Sequence, residues 1–209
     1  MAVASLTRMT VPLASDQSNP NEGLLMPKLK YRFRVIFENF GISTPRTELS
    51  KQVIDFRRPS VSFEDISIPI YNSTLKLAGK YSWAETVCTL RDDASGKVST
   101  LVGEQIQKQM DFFEMASAAA GINYKFLTRF EILDGGMGND VVVLETWELY
   151  GCYLKQADYG EMSYGTNDPV TIAMTIQFDN AAQTKGGTVG TSKLARTIGD
   201  IVTGVGTAG

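Results

Sequence analysis

Through most of the middle of the chain, apolar side chains recur at every second position. Tyr31, Phe33, Val35 and Phe37 alternate with Arg32, Arg34, Ile36 and Glu38, the pattern of a strand with one buried face. Val170, Ile172, Met174, Ile176 and Phe178 alternate with Thr171, Ala173, Thr175 and Gln177 and make the cleanest strand signal. Further strand signals cover Val61–Ile70, Thr74–Ala78, Trp83–Arg91, Tyr124–Leu133 and Val141–Lys155. Between the last two, the run from Asp134 to Asn139 (DGGMGN) reads as a hairpin loop. One segment breaks the period of two. From Ser99 to Ala120, Val102, Ile106, Met110, Phe113 and Ala116 recur every three or four residues. Ser99 or Thr100 can cap the start and Gly121 the end, so the pattern predicts one amphipathic helix over about 99–120. Its outer face would carry Glu104, Lys108, Asp111 and Glu114. Several strands and a single helix predict a mainly β fold: an antiparallel sandwich or barrel with one α-helix on its flank.

Composition divides the chain into three zones. Residues 28–182 hold every aromatic side chain and are net acidic; this is the expected folded domain. Residues 1–27 and 183–209 lack aromatics, and the second of these is Gly-rich. Both are expected to be flexible arms, since neither can bury enough surface to order itself. The C-terminal arm still places Leu194, Ile198, Ile201, Val202 and Val205 at helical spacing. Gly199 and Gly204 weaken it as a free helix, by about 1 kcal/mol each. It reads either as a frayed tail or as a segment that docks on a neighbouring chain. No apolar run reaches signal-peptide or membrane-span length, so a soluble protein made and kept in a cytoplasm is expected, with no membrane partner.

Charge and residue usage exclude much chemistry. The 209 residues contain no His, so a Ser-His-Asp or Cys-His nucleophile and a His-ligated metal are out of reach. Cys88 and Cys152 are too few for a four-Cys zinc site and read as reduced core thiols. The glycines at 135–138 lack the Lys-Ser/Thr of a phosphate loop and open no helix. Glu64-Asp65 and Asp92-Asp93 are adjacent pairs, which on a strand point to opposite faces. The net charge of -3 argues against a general nucleic-acid binder. Lys28, Lys30, Arg32 and Arg34 share parity, and their basic row reads as solvated or as paired with carboxylates of another chain. No catalytic, cofactor-binding or metal constellation is present, and no enzyme activity or cofactor is expected. Alternating strands with a polar outer face and two apolar-dotted arms point instead to assembly.

The stretch IPIYNSTLKLAGKYSWAETVCTLRDD, from Ile68 to Asp93, resembles the tail tube proteins of contractile-tailed bacteriophages. The Ile-Pro step, the Lys-containing strand, Ala78-Gly79, the aromatic-bearing turn and the alternating strand ending in an acidic cluster carry the likeness. The helix with its Phe112-Phe113-Glu114 end, and ETWELYG (Glu145–Gly151) through Gln177-Phe178-Asp179, extend it over most of residues 28–182.

That resemblance implies a β-barrel with a flanking helix, related in fold to type VI secretion tube proteins. It implies six copies per ring, with rings stacked into the hollow inner tube of a contractile tail. DNA would pass through the lumen into the host without specific binding. The implied partners are further copies of the chain, the tail sheath protein, and the baseplate and tail terminator proteins. The implied location is the virion, after assembly in the host cytoplasm. A baseplate hub or tail-completion protein of the same fold, capping the tube, is the alternative. On this reading the mixed charges of the loop expected at 41–70, namely Arg46, Glu48, Lys51, Arg57, Arg58, Glu64 and Asp65, suit contacts between subunits or rings. Leu194, Ile198 and Ile201 are the apolar candidates for the same interfaces, and Glu104, Asp111 and Glu114 are candidates for contact with the sheath.

Overall fold

The computed structural model describes residues 5–6, 24–25, 27–42, 47–135, 141–187 and 189–190. Near the start, β1 (Ser5–Leu6) pairs antiparallel with β2 (Leu24–Leu25). Then come β3 (Phe33–Glu38), α1 (Thr47–Gln52), β4 (Val53–Phe56), β5 (Val61–Ile70), β6 (Ser73–Trp83) and β7 (Thr86–Arg91). They are followed by α2 (Lys97–Gln109), β8 (Met110–Asp111), β9 (Ala116–Ser117), β10 (Phe126–Leu133), β11 (Val143–Asp158), β12 (Thr171–Gln177) and β13 (Asn180–Lys185). The expected mainly β, antiparallel architecture is what the chain adopts.

The body is one seven-stranded sheet in the order β3-β10-β11-β12-β7-β4, with β13 also paired to β11. It folds over on itself because β11 is shared. The first part of β11 pairs with β10 and β13, and its end pairs with β12. Gly151 lies at the changeover with φ +67, and the Asp179 carboxylate occupies the space that a Cβ there would need. The two halves enclose the alternating apolar positions. Val35 and Phe37 of β3, Phe130 and Ile132 of β10, Leu149 and Cys152 of β11, and Ile172, Met174 and Ile176 of β12 are all buried. Across the middle, Phe56 stacks on Phe130 at 5.0 Å between centroids. β10 and β11 pair antiparallel, and Asp134 N–H donates to the Val142 carbonyl at 3.0 Å; residues 136–139 of the expected hairpin loop lie outside the described residues.

The helix differs from its sequence signature. It begins at Lys97 and ends at Gln109, well before position 120, and it buries Val98, Leu101, Val102 and Gln105. Asp93, not Ser99 or Thr100, serves its start, accepting the Val98 N–H at 3.0 Å. The Thr100 hydroxyl donates to the Gly96 carbonyl instead. Beyond Gln109 the chain makes the small β8–β9 hairpin. Asp111 Oδ1 accepts the Phe113 N–H at 2.9 Å, and Met115 takes φ +52. That local carboxylate bond competes with helix continuation even though the apolar period runs on. The Gln109 amide then holds the backbone of Leu154 through two bonds of 2.8 and 2.9 Å, fixing α2 to β11.

Other expectations also change. Among the described residues, most of the 41–70 region is not loop, since α1, β4 and β5 lie in it; residues 43–46 lie outside the described residues. A second helix, α1, sits beside β3, and β13 starts before position 183 and continues past it. Three of the four members of the basic row have partners within their own chain: Lys28 with Glu145, Arg34 with Glu131 at 2.5 Å, and Arg32 Nη1 to the Asp134 carbonyl at 2.6 Å.

Cys88 and Cys152 are free and buried. Burial pushes the Cys88 thiol far up, with the charge of Asp55 adding to it, and burial pushes Cys152 up to about 11. Thiols so protonated are poor nucleophiles. Iodoacetamide is therefore expected to leave the native chain unmodified at neutral pH and to alkylate both positions in denaturant. Mass spectrometry reads the difference, and rapid modification of the native chain would contradict the packing described.

Candidate functional site

The strands β5 and β6 form a two-stranded sheet of their own. At roughly 3.3 Å per residue, the 10 residues of β5 make an arm about 33 Å long. The arm leaves the barrel where Ala84 N–H donates to the Ser60 carbonyl at 2.9 Å. On the β6 side the root is held by Trp83. Its ring packs on Phe178 at 5.7 Å and its Nε1 donates to Asn180 Oδ1 at 3.2 Å. The tip is Tyr71-Asn72, where Tyr71 takes φ +45 and is 100% exposed. A bulky residue in the left-handed region at a bare tip carries backbone strain.

The arm is apolar on both faces, but on different faces at its two ends. In the outer half, Ile66 and Ile68 lie opposite Leu77 and Leu75, with Ile70 beyond them. Near the root, Val61 lies opposite Trp83 and Phe63 opposite Tyr81. Val61 and Phe63 are odd positions of β5, while Ile66, Ile68 and Ile70 are even, so the two clusters point opposite ways. The exchange happens at a bulge, where one residue of β5 (Glu64) faces two of β6 (Gly79 and Lys80). Gly79 is required there, because a Cβ would lie 2.9 Å from the Glu64 carbonyl. These large side chains, Trp83 apart, are exposed. Monomeric soluble proteins rarely leave so extended an apolar surface uncovered, and such patches mark contacts with other molecules.

Beside the root lies a buried acid. The Glu145 side chain is 2% exposed and accepts from Lys28 on Oε2 and from Arg58 on Oε1. The Trp147 indole also donates to Oε1, at 2.5 Å. Burial pushes the Glu145 carboxyl up, but hydrogen bonds from Lys28 and Trp147 and the charges of Arg58 and Lys28 outweigh it and hold the group below its ordinary 4.5. A carboxyl depressed in the folded state contributes stability that is present above its unfolded pKa and is lost as pH falls through the folded one. Melting temperature is thus expected to fall more steeply below pH 4.5 for the unmodified chain than for Glu145→Gln. Parallel pH profiles would contradict this.

Of the positions singled out from the sequence, Arg58 joins this cluster, and Arg57 lies next to it with its backbone N–H on the Val87 carbonyl at 2.9 Å. Glu64 and Asp65 are exposed on the arm, and Asp65 lies 3.8 Å from Lys76. Glu48 and Lys51 fall in α1. Arg46, Leu194, Ile198 and Ile201 lie outside the described residues. The three acidic positions are not on one helix face. Glu104 is in α2 and accepts the Ile42 N–H at 2.7 Å, Asp111 holds the β8–β9 turn, and Glu114 sits exposed at its tip beside Phe112 and Phe113. Sequence reasoning missed Glu145 and the two apolar faces of the arm. The faces were legible as paired alternation across the Tyr71-Asn72 turn, whereas Glu145 meets partners 117 and 87 residues away and left no local signal.

The sheet ends β3 and β4 each keep a free edge among the described residues. They flank an open groove of about 510 Å³ lined by Phe33, Val35 and Val53 with Arg34, Asp55 and Arg91. Among the described residues no group of His, Cys, Asp and Glu is placed to hold a metal ion, and no helix is long and apolar enough to cross a membrane.

No family model matches the sequence, and no curated protein matches it. Solved structures do share the fold. A chain in the 6-fold symmetrised baseplate of the anti-feeding prophage is 13% identical with a TM-score of 0.56, covering 77% of this chain and 97% of that one. A chain in the tube-terminating cap of the same particle is 12% identical with a TM-score of 0.55, covering 84% and 99%. A chain in the extended sheath/tube terminator of an extracellular contractile injection system, PVC, is 17% identical with a TM-score of 0.53, covering 76% and 96%. The likeness is one of fold: this chain folds like components of contractile injection systems.

Proposed function

We propose that the chain is a structural subunit of a contractile particle, stacking in rings to form the hollow inner tube. The observation that carries this reading is the β5–β6 arm. A lone hairpin is marginal in water, and this one carries apolar clusters on both faces with no cover from its own barrel. A neighbouring copy would supply that cover. The free edges of β3 and β4 are where copies would meet sideways, since closing a ring removes such edges. Hexameric rings, a lumen that passes DNA without binding it specifically, and a place in a phage virion complete the reading. The chain then works by assembly and not by catalysis.

Arg57 and Arg58, at the foot of the arm, fall at the subunit boundary on this reading, with Glu64 and Asp65 carried onto the neighbouring copy. Glu114 and its exposed aromatic neighbours are the contact offered to a sheath. A cap or hub subunit is the second reading, favoured by the shared fold with a tube-terminating cap. Such a subunit would bind the end of a tube and not propagate it.

Negative-stain electron microscopy of the purified full chain at rising concentration tests both. Hollow tubes or stacked rings support the tube reading, and single rings support the cap. Monomers that never assemble, even when baseplates are added, would overturn the assembly reading altogether.

A further inference from the structure

We propose that Glu145 is a positioning residue that fixes the direction in which the β5–β6 arm leaves the barrel, by holding the arm's root and the lead-in to β3 on one buried carboxylate. The arm has two strands, and a side chain at the root of each ties it to the barrel. On the β6 side the tether is Trp83 against Phe178 and Asn180. On the β5 side it is Arg58, three positions before the first residue of β5, bound to Glu145. Arg57 is held to β7 by its N–H on the Val87 carbonyl, and the Arg58–Glu145 contact is one residue nearer to β5, so it sets the heading of the strand that leaves there.

Burial makes Glu145 a firm anchor. A carboxylate taken out of water is unfavourable unless its lone pairs are filled by charged or polar donors. Lys28, Arg58 and the Trp147 indole fill them, and the indole fixes the carboxylate's orientation. The two cations are less buried, at 45% and 54% exposure, so each can return to water if the acid is lost. The energetic need is therefore one-sided. The acid requires its cations and recruits them from two separate segments. Lys28 shares the carboxylate, so the chain entering β3 and the root of the arm are held by the same group. Whatever displaces one of them weakens the seat of the other.

The assembly reading enters only in the consequence, since a misdirected arm would miss its neighbour. The test is made on the dilute monomer and does not depend on that reading. Both native cysteines are buried, so spin labels can be directed to Tyr71→Cys at the tip and Thr100→Cys on α2. The distance distribution between them is expected to be narrow in the labelled parent. With Glu145→Gln or Arg58→Gln added, it is expected to broaden about twofold, while Arg58→Lys, which keeps a cation on the acid, restores it. Glu145→Gln is also expected to speed amide exchange in residues 27–32 about tenfold, with the barrel strands unchanged.

If Glu145→Gln does not fold, Arg58→Gln decides the matter. An unchanged width in that variant overturns the proposal. So does broadening that Arg58→Lys fails to restore, or exchange in residues 27–32 that ignores Glu145. If the parent never assembles yet the widths behave as described, the positioning role stands and the tube reading falls.

Discussion

A chain carrying Ile68→Thr and Leu75→Thr is expected to fold as the parent does and to stay dispersed where the parent assembles. The two residues lie directly opposite each other on the outer half of the arm and are exposed there. Threonine is β-branched, like the isoleucine it replaces, suits a strand, and makes a favourable cross-strand pair with a second threonine, so the hairpin itself loses little. Exposed substitutions of this kind change stability by roughly 0.5 kcal/mol or less. Docking is another matter. Burying a large aliphatic side chain is worth about 1.5–3 kcal/mol, so losing two weakens each contact by roughly 3 kcal/mol. That is about a hundredfold in affinity per contact, and a ring repeats the contact around its circumference. Sedimentation velocity alongside a thermal melt reads both halves of the expectation. Normal assembly by the double variant would remove the outer arm face from any account of subunit contact.

Phe130→Ala is expected to have the largest effect on the barrel itself. Phe130 is 4% exposed and stacks on Phe56 of β4, with the Phe33 ring of β3 at 5.9 Å. It thus joins the two ends of the sheet order across the core. Removing a buried Phe side chain typically costs 3–5 kcal/mol, partly in lost burial and partly in the cavity left behind. For a chain of this size that lowers the melting temperature by roughly 10 °C. Because β4 is a sheet end, amide exchange is expected to rise first in β4 and α1 and only later in β12. A loss below about 1 kcal/mol by urea titration would show that the core closes over the gap.

The strands with strict alternation were the most legible part of the sequence. In β3 and β12 large apolar residues occupy one face and mainly polar or small ones the other, so the period survives any tertiary context. β13 escaped because its buried positions are Ala181 and Gln183, too small or too polar to mark a face. The end of α2 escaped for the opposite reason. Met110, Phe113 and Ala116 continue the helical period, but the Asp111 carboxylate, accepting the Phe113 and Glu114 N–H groups, redirects the chain. Arg58 was picked out as an interface residue from its charge. That it would be seated on Glu145, with Lys28 beside it, depends on the barrel having closed and could not be read from any window of sequence.

The bond from Ala84 to the Ser60 carbonyl that closes the arm's root also marks a seam for exchange. Everything beyond it folds by local pairing, and everything before it closes around a core to which the outer arm contributes nothing. The entropy of such a closure grows slowly with the length enclosed, by about 0.6 kcal/mol per doubling. Arms of other lengths and faces can therefore be grafted between positions 60 and 84 onto an unchanged barrel. Recognition between subunits then becomes a trait that can diversify separately from the fold that displays it.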